Sequence, residues 1–177
     1  MNIEILGYHG TTQKAANLII ENSSFNKSFK KNEWLGHGVY FFEKYPKAEW
    51  WARQQRKKGK PGKKGKPAVI TSKIAVSEED FLDLDLPEEE DELVNFVRYI
   101  ENSGSTITFP NNKIEKRCAV INMYMKIRKY KVIMKSFNST NSNGKDILDS
   151  MGLSRIEKQI CVHNTKCIVS NELSVLS

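Results

Sequence analysis

Cysteine is scarce in this chain and its number is odd. Cys118, Cys161 and Cys167 are the only three in 177 residues. Such a set argues against a disulfide framework and points to reduced thiols in a cytoplasmic compartment. Cys161 and Cys167 fall in an apolar, strand-like stretch, where buried and inert thiols are expected. Histidine is equally sparse. His9, His37 and His163 show no spacing with cysteine or acid that would hold a metal, so no metal site is expected. No apolar run approaches the ~20 residues of a membrane span. The opening "NIEILGY" alternates, where a signal peptide would carry a basic region and an apolar stretch. One domain over residues 1–177 is expected, large enough to bury roughly 70% of its surface.

Each of two stretches lacks charge of one sign. "RQQRKKGKPGKKGKP", residues 53–67, holds eight basic residues and no acid. "SEEDFLDLDLPEEEDE", residues 77–92, reverses the sign. The net charge is +7. The basic run reads in two ways. One is a solvated, Gly/Pro-broken flexible loop. The other is an arm that tracks phosphates through Arg56, Lys57, Lys58, Lys60, Lys63, Lys64 and Lys66. The run has no aromatic residue, so it can position a nucleic acid but not stack its bases.

Periodicity places strands at 2–8, 37–42, 68–76, 130–137 and 158–169, and helices at 12–22, 46–57, 88–101, 115–128 and 145–151. In 88–101, Leu93, Phe96, Val97 and Ile100 form one apolar stripe behind an acidic first turn. The segment 77–101 reads as an acidic helical insertion. Helices and strands do not alternate strictly, which predicts an α+β fold with a mostly antiparallel sheet.

Two segments carry candidate chemistry. In "YHGTTQKAANLII", residues 8–20, Thr12 is placed to cap a helix whose apolar positions are Ala15, Ala16, Ile19 and Ile20. Just before it come His9, a donor and acceptor, Gly10, which permits close approach to the backbone, and the hydroxyl of Thr11. These three suit a tight turn or a pocket floor. In "WLGHGVYFFEKYPKAEWWA", residues 34–52, Val-Tyr-Phe-Phe runs into a helix on which Ala48, Trp51 and Ala52 share an inward face. Tyr40 and Trp51 are either part of an aromatic core or a pair that sandwiches a planar ligand.

Taken together, "HGT", an amphipathic helix, "LGHGVYFF" and "A-x-x-W-A" resemble the ADP-ribosyltransferases of the diphtheria toxin and poly(ADP-ribose) polymerase class, the His-Tyr-Glu type. The resemblance runs from Tyr8 to Ile168, poorest in the basic run and the acidic segment. It implies a split, mostly antiparallel sheet flanked by helices around an NAD cleft. His9 would bond a ribose hydroxyl of NAD⁺, Gly10 would present its backbone to the nicotinamide carboxamide, and Thr11 would support the pocket. Tyr40 and Trp51, or Trp50 in a one-residue shift, would stack on the nicotinamide ring. A late-strand glutamate normally stabilises the oxocarbenium-like ribose. Here "RIEKQICVHNTKCI", residues 155–168, places Gln159 in that slot with Glu157 two residues earlier, on the same face of a strand. Glu157 in a shifted register, Gln159 itself, or lost catalysis are the three options. The resemblance implies single ADP-ribose transfer from NAD, without a metal. The motif's position near the start suggests a free-standing effector, such as a bacterial or phage toxin kept in check by a protein antitoxin. Its acceptor would be a nucleic acid, with a protein acceptor, an inactive NAD- or nucleic-acid-binding module, and RNA 2′-phosphotransfer as alternatives.

Overall fold

In a computed structural model, residues 1–58, 65–104, 106–139 and 144–176 are described, with the backbone alone at 56–58. The strands are β1 (Asn2–Thr12), β2 (Val39–Phe42), β3 (Pro67–Ser77), β4 (Phe81–Asp83), β5 (Val132–Asn138), β6 (Ile156–Val162) and β7 (Ile168–Val175). The helices are α1 (Gln13–Asn22), α2 (Tyr45–Lys58), α3 (Pro87–Asn102), α4 (Lys113–Arg128) and α5 (Lys145–Ser150). All seven strands join one sheet in the order β4-β5-β6-β2-β1-β3-β7. The sheet is mixed: β4 and β5 run parallel, and the other neighbours pair antiparallel.

Alternation sorts the side chains into two cores. On one face Val39, Phe41, Ile70, Ile74, Ile160 and Val162 pack with Ala16 and Phe25, and Ile19 and Ile20 of α1 lie against them. On the other, Ile133 and Cys161 pack with Leu35, Leu82, Leu84 and the α4 residues Ile121, Tyr124 and Met125. Helix α2 lies on this second face, over Gly10. Thr12 caps α1, its hydroxyl accepting from the Ala15 amide at 3.4 Å.

Three expectations change. Strand β1 does not end at Tyr8. His9, Gly10 and Thr11 remain paired with Ile70, Val69 and Ala68 of β3, which removes the tight-turn reading. The stretch 158–169 is two strands. The chain turns after Val162 because the amides of His163 and Asn164 both bond the Lys131 carbonyl, and Asn164 caps the short turn Thr165–Cys167. The acidic segment is built into the core. Its "FLD" forms edge strand β4, and Leu82 and Leu84 are buried beneath α4.

Candidate functional site

The site begins where β1 and β2 part. They pair at one position, Tyr8 with Phe42. Beyond it the His9 ring takes the place of a ladder bond, with Nδ1 2.8 Å from the Tyr40 carbonyl. A carbonyl only accepts, so Nδ1 carries the proton. Burial holds the imidazole below its usual pKa. The ring is therefore neutral at pH 7, and Nε2 is left as an acceptor. Phe25 and Phe41 hold it in edge contact at 5.4 and 5.7 Å.

The same bond fixes the direction of the backbone at Gly10. Along a strand, N–H and C=O groups alternate between the two edges residue by residue. The Tyr40 carbonyl points toward β1, so that of Phe42 does too. Tyr8 faces Phe42 across this edge, and Gly10, two residues on, turns its N–H and C=O the same way. At Gly10 β2 has already diverged, so these two groups face the gap. The absent side chain has a separate cause. A Cβ at Gly10 would lie 2.1 Å from the Ala48 carbonyl oxygen and 3.0 Å from the Ala52 amide, so glycine lets α2 settle onto the sheet. Ala48 and Ala52 are fully buried there.

The gap opens into a cavity of about 570 Å³, within the usual range for small-molecule sites. His9, Gly10, Thr11, Tyr40, Trp50, Trp51, Glu157 and Gln159 all line it. Tyr40 forms the wall opposite α2. Its hydroxyl donates to the Gly36 carbonyl at 2.6 Å and accepts from the Leu35 amide at 2.9 Å, and burial pushes its pKa well up. It thereby ties down the loop before β2, where Gly36 has φ +76°. Asn122 accepts from the His37 amide at 2.7 Å, and His163 Nε2 meets the Leu35 carbonyl at 2.9 Å.

Helix α2 supplies the opposite wall, with a correction. Ala48 and Ala52 form its inward face, but Trp51 does not share it. Trp50 and Trp51 are each 37% exposed at the rim. Trp51 packs toward Phe42 at 6.4 Å, and the two indoles lie 6.4 Å apart at 40°. The floor comes from β6. Glu157 and Gln159 share a face, and Gln159 Nε2 donates to Glu157 Oε1 at 3.2 Å. The other carboxylate oxygen pairs with Lys47 Nζ at 2.5 Å, and both side chains are largely buried, 16% and 9% exposed. Lys47 Nζ also lies 4.1 Å over the Trp50 ring.

Lys47 is the site residue that the sequence reading missed. Its helical spacing to Trp50 and Trp51 was the available signal; its pairing with a glutamate 110 positions away was not. Lys66 is exposed and sits at the start of α1, where its carbonyl accepts from the Gln13 amide, and it is not among the residues lining the cavity. The side chains of Arg56, Lys57 and Lys58, and all of Lys60, Lys63 and Lys64, lie outside the described residues. Cys118, Cys161 and Cys167 are free thiols and all buried. Among the described residues, no helix is long and apolar enough to cross a membrane. The chain matches no family model, no curated protein and no solved structure.

Proposed function

We propose that this chain is an NAD-dependent mono-ADP-ribosyltransferase that modifies a nucleic acid. The observation that carries the reading is the open backbone edge of Gly10 inside the split sheet. One N–H and one C=O side by side are the complement of a primary carboxamide, which offers one acceptor and two donors. Nicotinamide carries that group on a flat ring, and the indoles of Trp50 and Trp51 offer aromatic faces at the same cavity. The neutral His9 offers Nε2 to a ribose hydroxyl. In this chemistry the bond between nicotinamide and ribose C1′ breaks, and its electron pair leaves with nicotinamide. The ribose passes through an oxocarbenium-like state, and the acceptor nucleophile bonds to C1′ as it loses its proton. Gln159 and Glu157 of β6 line the cavity where that charge would develop.

The acceptor assignment rests on the sequence. Eight basic residues without an acid follow the tryptophans of α2, and such a run matches a phosphate backbone better than a protein surface. The test is incubation with NAD⁺ labelled in the adenylate, with separate RNA, DNA and protein pools across a salt series. Label in RNA or DNA that falls steeply with salt is the expected result. Label confined to protein would move the acceptor to protein. NAD⁺ binding without transfer or hydrolysis would make the chain an inactive binding module, a reading that Gln159 in the glutamate slot favours.

A further inference from the structure

We infer that Lys47 and Glu157 act as a positioning pair for Gln159, and that the Gln159 carbonyl oxygen is the group on β6 that meets the ribose. This rests on the transferase reading above. A carboxylate only accepts hydrogen bonds, so the Gln159 atom facing Glu157 Oε1 is the amide nitrogen, at 3.2 Å. That fixes the amide plane and turns Oε1 away from Glu157. Gln159 lines the cavity, so this oxygen is the acceptor that the cavity receives. Glu157 is held in turn. Its second oxygen is 2.5 Å from Lys47 Nζ, and both groups are largely withdrawn from water. Lys47 is anchored on the first turn of α2 and lies against Trp50.

The charges argue against a direct role for Glu157. A carboxylate stabilises a developing cation only when its own charge is uncompensated, and here an ammonium lies in contact with it. The pair is close to neutral as seen from the ribose. What remains is the dipole of the Gln159 carbonyl, weaker than a charge but aimed by the pair. The leaving group asks less of that acceptor than a charged one would, because nicotinamide departs as a neutral molecule.

The test compares E157A, E157Q and K47M in two assays. Steady-state NAD⁺ cleavage and NAD⁺ titration separate kcat from binding. Glutamine at position 157 still accepts from the Gln159 amide but carries no charge, so E157Q should recover most of the rate that E157A loses. E157A and K47M should each lower kcat by about 10–100-fold, the scale of a misplaced catalytic group, with NAD⁺ affinity nearly unchanged. The second assay follows the Gln159 side-chain amide by ¹⁵N–¹H NMR in ligand-free protein. Its resonances should differ from those of free glutamine in the parent and in E157Q, and move to free-glutamine positions in E157A and K47M. K47M leaves a buried carboxylate without a partner and is prone to misfolding; E157Q leaves the Lys47 ammonium without its counter-charge but still over the Trp50 ring, and carries the test alone if K47M fails. An E157Q as slow as E157A, or a K47M faster than the parent, would assign the ribose to the Glu157 carboxylate and overturn the inference. A free-glutamine amide in the parent would overturn it as well. The NMR arm uses no NAD⁺, so it decides the positioning even where the parent neither binds nor cleaves NAD⁺, a result that would sink the transferase reading instead.

Discussion

Replacing Gly10 by alanine tests the seat of α2 with a single methyl group. The added Cβ would lie 2.1 Å from the Ala48 carbonyl oxygen, against about 3.4 Å for an ordinary contact, so about 1.3 Å must be made up. Neither obstacle is a flexible side chain. Both are helix backbone, Ala48 O and Ala52 N, and both alanines are fully buried with no rotamer to give. The helix must lift or β1 must bend. Overpacking of this kind costs about 1–3 kcal/mol. For a chain of this size each kcal/mol lowers the melting temperature by about 2–4 °C, so G10A should melt about 2–12 °C below the parent. Two of the three tryptophans ride on α2, so the lift also has a local readout. Trp50 and Trp51 should move further into water, with a red-shifted emission. Thermal unfolding by circular dichroism and tryptophan emission at 20 °C measure the two effects. An alanine variant that melts with the parent and emits like it would refute the close approach of α2 to the sheet, and the cavity wall with it.

Other perturbations address the remaining walls. Tyr40→Phe keeps the ring but strands the Leu35 amide and the Gly36 carbonyl, and should cost about 1–3 kcal/mol in urea unfolding; a stability equal to the parent's would remove the hydroxyl as the tie of that loop. His9→Ala should weaken NAD⁺ binding by about 1–3 kcal/mol in calorimetric titration, and an unchanged affinity would take His9 out of the site. His9 and His163 are both held below their ordinary pKa by burial. The unfolded chain then binds protons that the folded chain refuses. Their contribution is fully present above the unfolded value of about 6.5 and is lost as pH falls from there toward the folded values. The urea midpoint should decline between pH 6.5 and 5.5, before carboxylates titrate, and a level midpoint there would show that the imidazoles protonate freely in the fold.

How much of this was legible in the sequence depends on how local each signal was. The alternation in "NIEILGY" marks β1, but its end was lost because Gly10 has no side chain to continue the alternation and the polar Thr11-Thr12 pair reads equally well as a helix cap. Eleven consecutive pairings with β3 carry the strand through to Thr12. Strand β4 was invisible for a related reason. It is three residues inside an acidic run, and it exists because Phe81, Leu82 and Asp83 pair in parallel with Val132, Ile133 and Met134 some 51 positions away. The amphipathic α2 could be read from the spacing of Ala48 and Ala52, yet the same spacing put Trp51 inward. An alanine face fits flat against a sheet, whereas an indole beside it must turn to the rim, where Trp51 is 37% exposed.

The site divides along the same line. Period two puts Glu157 and Gln159 on one face of a strand, and the structure has them bonded to each other. No periodicity brings Lys47 to them, or His9 to the Tyr40 carbonyl. Those two contacts nonetheless decide the character of the cavity. His9 projects from the α1 face of the sheet, yet its ring reaches the carbonyl edge of β2, so one side chain stands where a ladder bond would close the sheet. Had the ladder continued, the N–H and C=O of Gly10 would be spent on Tyr40, and no cleft would open between β1 and β2. The histidine thus holds the strands apart and turns an acceptor nitrogen into the space it keeps open. A glycine follows it because α2 leaves no room for more, and its backbone groups face the gap because β2 has diverged there. The interrupted sheet edge thus offers one donor and one acceptor at the spacing of a strand partner, which under the proposed reading is what the nicotinamide amide would take up.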